Sequence, residues 1–149
     1  KPAEEYLANM DKPDRVLKID EVIARLQLKP GDIVADIGSG SGSFSIPMAK
    51  AIAPNGILYA VDIDQKMLDY VAEKAKKEGV TNLRTVLGEY DDPKLPVKDV
   101  DVAFYHRVLH MIEHRQALAV RERAPRYFEP AVGENADHVV ARFAAAVFH

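Results

Sequence analysis

Residues 33–42 read IVADIGSGSG, an apolar run with one acid that breaks into a loop in which every second residue is glycine. The run has the length and the β-branched content of a buried strand. The loop leads into an apolar pattern over residues 44–52 that is typical of a helix. The unpaired amides and positive dipole end of a helix N-terminus favour a carboxylate or phosphate nearby. The sequence therefore predicts a cofactor or nucleotide site at this loop.

The spacing of the glycines decides between classes of cofactor. A dinucleotide loop, Gly-x-Gly-x-x-Gly, would need a glycine at Ser43, and the Gly-Lys-Ser/Thr ending of a phosphate P-loop is absent. The pattern Asp-x-Gly-x-Gly-x-Gly instead resembles the first motif of the class I S-adenosylmethionine-dependent methyltransferases. Its acid and glycines are Asp36, Gly38, Gly40 and Gly42.

This resemblance implies that the chain uses S-adenosylmethionine as its cofactor. In that family the glycine loop, which here includes Ser39, lies along the methionine half of the cofactor. The acid, here Asp36, helps to hold the ammonium group of the cofactor. A tight glycine loop can also be purely structural, so the later segments of the chain decide between the two interpretations.

A second predicted strand, residues 56–62, ends in acids, and Asp62 lies twenty residues beyond Gly42. An acid at the tip of the second strand is placed to accept hydrogen bonds from both hydroxyls of a ribose. We therefore expect Asp62 to bind the ribose and Ile63 to pack on the adenine. Asp64 is interpreted as the N-cap of a helix over residues 65–77.

A third predicted strand, residues 83–87, leads into an acidic loop with two prolines. In the family the acid and the following amide at this point read the edge of the adenine. By position these are Glu89 and the amide of Tyr90, although the loop is longer than usual, so that Asp91 is an alternative for the acid. A solvated turn set by the prolines is the structural alternative.

Two histidines are the candidate catalytic residues. His106 and His110 follow a fourth predicted strand that begins near residue 100, where they would face the methyl acceptor. An unperturbed imidazole has a pKa of about 6.5, which suits proton removal at neutral pH. A capping or half-buried histidine is the alternative. His114 continues the spacing, but His106 precedes the predicted helix, and we expect no metal site.

Strands and helices alternate from residue 31 to 104, which predicts a Rossmann-like, doubly wound and mostly parallel α/β sheet with helices on both faces. Two helices, residues 4–10 and 14–26, are predicted before it. We expect one domain in three parts. These are N-terminal helices over residues 1–30, a cofactor-binding core over 31–116 and an atypical segment over 117–149.

The C-terminal segment departs from the family pattern. No lysine follows Lys98, whereas six of the nine arginines do, which suggests a shortened or altered gene. Residues 127–133 resemble a degraded form of the family's Leu-Lys-Pro-Gly-Gly turn, and residues 138–148 are a candidate fifth strand, although 142–147 would also suit a helix. The closing antiparallel hairpin is expected to be absent. Because its loss would expose a sheet edge, we expect a homodimer through this segment.

Composition narrows the function. The chain has 149 residues, a formal net charge of −3, no basic stripe and no cysteine, so that we expect neither a nucleic-acid partner nor disulfides. No apolar stretch is long enough to span a membrane, and we expect a bacterial cytoplasmic protein, although the start at Lys1 leaves room for a removed targeting segment.

The expected function is methyl transfer from S-adenosylmethionine to a small-molecule acceptor. The Asn-Pro-Pro-Tyr motif of amino-group methylation is missing after the fourth strand, and this favours another acceptor. Two alternatives stay open. The first is a shortened homologue that binds the cofactor without turnover, and the second is a nucleotide-dependent oxidoreductase, which the glycine spacing disfavours.

Overall fold

A computed structural model describes residues 13–89, 92, 94–97, 100–106, 125–128 and 138–143. Within these ranges the chain forms three helices and six strands: α1 (Pro13–Leu26), β1 (Ile33–Ile37), α2 (Ser45–Ile52), β2 (Ile57–Asp62), α3 (Gln65–Lys77), β3 (Leu83–Leu87), β4 (Val102–His106), β5 (Pro125–Phe128) and β6 (His138–Phe143). None of these helices is long and apolar enough to cross a bilayer. The helix predicted over residues 4–10 lies outside the described ranges.

All six strands belong to one sheet, in the order β3-β2-β1-β4-β6-β5. Strands β1 to β4 are parallel to one another, and β1 lies between β2 and β4. The chain first builds the sheet outwards through β2 and β3 and then returns to the other side of β1. In open sheets of this kind ligands bind at the carboxyl ends of the strands beside such a reversal. The mostly parallel sheet predicted from the sequence is confirmed.

The edge beside β4 differs from the expectation of a missing hairpin. Strand β6 pairs antiparallel with β4, and β5 pairs antiparallel with β6. Tyr127 and Phe128, which were predicted in a turn, belong to β5, and Arg142 belongs to a strand rather than a helix. Aromatic and β-branched residues favour strands, and antiparallel neighbours need only a short connection, whereas parallel ones need a crossover. The edge of β4 is therefore covered by the chain itself.

The helices pack on one face of the sheet. Side chains of α1, α2 and α3 form a core with the strand residues on that face, among them Val34, Leu58 and Phe104. The rings of Phe44 and Phe104 lie 5.1 Å apart, at a tilt of 41°, an arrangement that aromatic pairs favour.

The second face of the sheet carries its own apolar cluster, which includes Ile37, Val61 and Tyr105. Among the described residues its cover comes from a loop rather than from a helix, because Leu95 and Val97 pack against the cluster. The loop after β3 therefore has a structural task in addition to any contact with a ligand.

Candidate functional site

The backbone conformation of the loop after β1 requires glycine at three positions. Gly38, Gly40 and Gly42 have φ angles of 79°, 54° and 79°. This left-handed region is sterically costly for residues with a Cβ atom and open to glycine. The alternation that marks the sequence is therefore a consequence of three left-handed residues within one tight turn.

Backbone hydrogen bonds attach this loop to the end of β2. The amides of Gly38 and Ser39 both donate to the carbonyl of Val61, at 2.9 Å each. The amide of Gly40 donates to Oδ2 of Asp62 at 2.8 Å. The loop and the acid predicted to bind ribose thus form a single structural unit.

Asp62 is the accessible acid of the site. It is the last residue of β2 and is partly exposed, and its Oδ1 accepts a hydrogen bond from the Asp64 amide at 3.0 Å. An ionised carboxylate has about four acceptor positions, so its two bonds leave capacity for ligand hydroxyls. The neighbouring Ile63 is 60% exposed and presents an apolar surface beside this carboxylate. Asp64 accepts a hydrogen bond from the Lys66 amide, and its predicted role as N-cap is confirmed.

Asp36 is fully buried, in contrast to Asp62. Its Oδ2 accepts a hydrogen bond from the hydroxyl of Ser45 at 2.5 Å, and Ser45, the first residue of α2, is also fully buried. Ser45 is not among the site residues predicted from the sequence. The signal that would have found it is a hydroxyl at the first position of the helix, behind a strand that carries a single inward-facing acid.

The third glycine of the motif faces a helix. A Cβ atom placed on Gly42 would lie 2.8 Å from Cγ2 of Val71 in α3, closer than real Cβ contacts come. Gly42 is buried, and its role in this structure is to let the loop pack closely against α3.

The loop after β3 comes next to Asp62, because the amide of Gly88 donates to the Asp62 carbonyl at 2.9 Å. Glu89 and Asp92 exchange backbone hydrogen bonds of 2.7 Å and 3.2 Å, and the side chain of Glu89 is 66% exposed. The Lys94 amide donates to the carboxylate of Asp92, and this bond holds the pKa of Asp92 below its ordinary value. Tyr90, like its neighbour at position 91, lies outside the described residues.

On the acceptor side, His106 is the last residue of β4, and its backbone pairs with His138 of β6. Because β4 is parallel to β1 and Tyr105 is opposite Ile37, His106 lies at the edge of the sheet from which the glycine loop starts. His110 and His114 lie outside the described residues. In the part of the chain that the structure describes, no cluster of three potential metal ligands occurs.

The accessible groups of the site fit a ligand that carries a ribose and an apolar ring. Asp62 offers acceptor positions for hydroxyl groups, and Ile63 offers an apolar surface. The hydroxyl of Ser39 is buried in the loop and has no hydrogen-bond partner among the described residues. A buried hydroxyl without a partner is uncommon, and a ligand would reach this one only if the loop moved.

Comparison with known proteins identifies this ligand. Residues 34–131 match the family model of the methyltransferase domain, and this range contains the glycine loop and Asp62. The chain belongs to the class I S-adenosylmethionine-dependent methyltransferases. Its cofactor is S-adenosylmethionine, as the resemblance of the glycine motif to this family implies.

Curated relatives resemble part of this methyltransferase. It is 36% identical over 85 residues to a Methanosarcina mazei protein named "Probable cobalt-precorrin-6B C(15)-methyltransferase (decarboxylating)", with 55% of this chain and 46% of that protein covered. It is 31% identical over 74 residues to the nocamycin O-methyltransferase of Saccharothrix syringae, with 50% and 26% covered. The chain thus spans less than half the length of either relative.

Solved structures share the fold of the methyltransferase over most of its length. A SAM dependent methyltransferase from Aquifex aeolicus has a TM-score of 0.61 at 18% identity, with 93% of this chain and 96% of that chain covered. A precorrin-6y C5,15-methyltransferase from Geobacter metallireducens has a TM-score of 0.54 at 18% identity, with 89% and 90% covered. These similarities confirm the Rossmann-like fold.

Proposed function

We propose that the chain transfers the methyl group of S-adenosylmethionine to a small-molecule acceptor. The observation that carries the proposal is the 2.8 Å hydrogen bond from the Gly40 amide to Asp62. It joins the glycine loop and the partly exposed acid of β2 into one site at the carboxyl ends of the parallel strands. Such a site suits a ligand that is charged at one end and carries a ribose at the other.

Seven residues are proposed to bind the cofactor. Gly38, Ser39 and Gly40 form the loop that lies along its methionine half. Asp62 accepts the ribose hydroxyls, and Ile63 packs on the adenine. Glu89, with the Tyr90 amide, reads the adenine edge, as expected from the sequence.

In methyl transfer the main task of the protein is to position the cofactor and the acceptor. When bound, the cofactor supplies a methyl group on a sulfonium that is already a good leaving group, so positioning and exclusion of water supply most of the catalysis. A general base is needed only if the acceptor must lose a proton. His106, at the end of β4, and His110 are proposed for that role.

A small acceptor is proposed because the chain is acidic overall, with a formal net charge of −3. A nucleic-acid acceptor would require a concentrated basic surface to bind phosphates. Methylation of RNA by the purified chain, in the absence of methylation of small molecules, would contradict this part of the proposal.

Calorimetric titration with S-adenosylhomocysteine and, separately, with NAD tests the cofactor. We expect saturable binding of the first ligand alone, and loss of that binding in Gly40→Val, which places a branched side chain in the loop. Gly31→Val is the matched control, since Gly31 also has a positive φ, of 93°, but lies in a turn before β1 with open space around it. Binding of NAD instead would favour an oxidoreductase.

Turnover is tested with a panel of small acceptors. If a histidine removes the acceptor proton, His106→Ala or His110→Ala loses about 100-fold in rate while the affinity for S-adenosylhomocysteine is retained. Equal losses of affinity and rate would indicate a structural histidine instead. Cofactor binding without turnover on any acceptor would favour a homologue that only binds the cofactor.

A homodimer through residues 117–149 is also proposed. Strand β5 is the last strand of the sheet on that side, and exposed edge strands tend to pair with another chain. Light scattering at micromolar concentration tests this, and a monodisperse monomer would contradict it. A chain that ends after Gln116 lacks β6, the partner of β4, and we expect it to be poorly soluble.

A further inference from the structure

We infer that Asp36 is a positioning residue, which holds the glycine loop and the start of α2 through Ser45 and does not contact the ammonium group of the cofactor. The inference rests on the proposed function, and it differs from the role that the family resemblance implies for this acid. It is carried by the burial of the two side chains and by the bond between them.

Asp36 and Ser45 are both 0% exposed. Because Asp36 is fully buried, a ligand atom can touch its carboxylate only if the loop or the helix is displaced. Asp62, in contrast, is partly exposed in the same structure.

The Ser45 hydroxyl donates to Oδ2 of Asp36 at 2.5 Å, which is within the short range of charge-assisted O–H···O⁻ hydrogen bonds. A buried charge must be compensated locally. The hydroxyl provides one partner, and the N-terminus of α2 provides the positive end of a helix dipole.

Asp36 and Ser45 lie on opposite sides of the glycine loop along the chain. Asp36 lies in β1 between Ala60 of β2 and Phe104 of β4, which places it in the centre of the parallel strands. Ser45 is nine residues further on, at the start of α2. The bond between them therefore closes the loop at its base, with all three motif glycines between its two ends.

A positioning role and a direct contact with the ammonium group predict different affinities of the variants for two ligands. S-adenosylhomocysteine carries the ammonium group, and an analogue with hydrogen in place of the amino group does not. If Asp36 only positions the loop, Asp36→Asn and Ser45→Ala weaken the binding of both ligands by the same factor, of about 10-fold. The ratio of the two affinities then stays at its wild-type value in both variants.

Calorimetry on the full chain measures these affinities. A ratio that falls to one in Asp36→Asn while it is kept in Ser45→Ala would overturn the inference, because it would reveal a direct contact with the ammonium group. Wild-type affinity in Ser45→Ala would overturn it as well. Ser43→Ala, a partly exposed serine of the same loop, is the matched control, and we expect it to bind both ligands within about 2-fold of wild type.

Two further measurements keep the test decisive. If Asp36→Asn does not fold, Ser45→Ala alone still has to lose the same factor for both ligands. If the wild type binds neither ligand, the proposed function fails, and the inference is then tested by urea unfolding of the single and double variants. Non-additive losses of stability would support a unit formed by Asp36 and Ser45, and additive losses would overturn it.

Discussion

The loop after β1 and the loop after β3 lie at the same edge of the sheet but are held in different ways. Residues 38–42 have left-handed glycines and backbone hydrogen bonds to the end of β2. In the loop after β3, Gly88 makes one backbone bond to Asp62, and Glu89, Asp92 and Lys94 contact one another with side chains that are 66%, 47% and 49% exposed. Further along the same loop, Leu95 and Val97 pack against the second apolar cluster.

The difference teaches which part of a binding site depends on residue identity. In the first loop, replacing a glycine adds a Cβ atom that either strains the left-handed backbone or clashes with a neighbouring helix. Few substitutions are therefore tolerated at these positions. In the part of the second loop that faces Asp62, the interactions among Glu89, Asp92 and Lys94 are exposed and charged, so each contributes little to stability and another acid can replace Glu89 or Asp92. Substitutions in the two loops should therefore differ in the size of their effects.

The largest effect is expected for Gly42→Ala in the first loop. The new Cβ would lie 2.8 Å from Val71 at a φ of 79°. Left-handed strain together with overpacking should lower the free energy of unfolding by about 2 to 4 kcal/mol, as measured by urea denaturation. Gly79→Ala is the control, since its φ is 71° with nothing within 4 Å. Equal losses in the two variants would exclude the contact with Val71 as a cause.

Asp62→Ala, at the junction of the two loops, should have the next largest effect. It removes the acceptor of the Gly40 and Asp64 amides and, in the proposed site, of the ribose hydroxyls. We expect S-adenosylhomocysteine affinity to fall by about 100-fold or more, because each charge-assisted bond contributes about 1.5 to 3 kcal/mol.

Hydrogen exchange separates these two roles of Asp62. Without ligand, the Gly40 amide should exchange faster in Asp62→Ala than in the wild type, because it has lost its acceptor. Asp69→Ala, in which an exposed acid loses only its bond from the Gln65 side chain, is the control. Unchanged exchange at Gly40 would show that the hydrogen bond does not hold the loop.

Glu89→Gln in the second loop should have a smaller effect. The backbone bonds between Glu89 and Asp92 are unaffected by the change of side chain, so the free energy of unfolding should stay within about 0.5 kcal/mol of wild type. Loss of one hydrogen bond to the adenine should weaken cofactor binding by about 10-fold at most. A loss as large as that of Asp62→Ala would remove the contrast between the loops.

The smallest effect is a dependence of stability on pH at Asp92. The hydrogen bond from the Lys94 amide lowers the pKa of Asp92 in the folded protein. The stabilisation is therefore present above the unfolded pKa of about 4 and is lost as the pH falls through the lowered folded value. Asp92→Asn should lose less than about 0.5 kcal/mol at pH 7 and nothing at the acidic end. A difference that grows on acidification would contradict this.

Sequence reasoning succeeded where the backbone restricts residue choice. The loop formed by Gly38, Gly40 and Gly42 could be predicted because few residues other than glycine adopt left-handed backbone conformations. Strands β1 to β4 could be predicted because buried parallel strands are continuously apolar in sequence. The N-cap at Asp64 was found for the same kind of reason.

The rest depended on tertiary contacts that leave no local signal. The pairing of β6 with β4 joins residues far apart in the chain, and its antiparallel direction is not encoded in Val139 or Val140 alone. Likewise, the sequence contains Asp36 and Ser45 but not the fact that both are buried together. Membership of a motif predicted that Asp36 matters, but not how it acts.

The hydrogen-bonded amides of the glycine loop affect the thermodynamics of cofactor binding. The amides of Gly38, Ser39 and Gly40 are all paired with acceptors of the protein itself. Ordering a mobile backbone costs about 1 to 2 kcal/mol of conformational entropy per residue, and a loop assembled in advance avoids that cost when the cofactor arrives. Changes on the acceptor side of the sheet can then alter what is methylated without rebuilding the half of the site that holds the methyl donor.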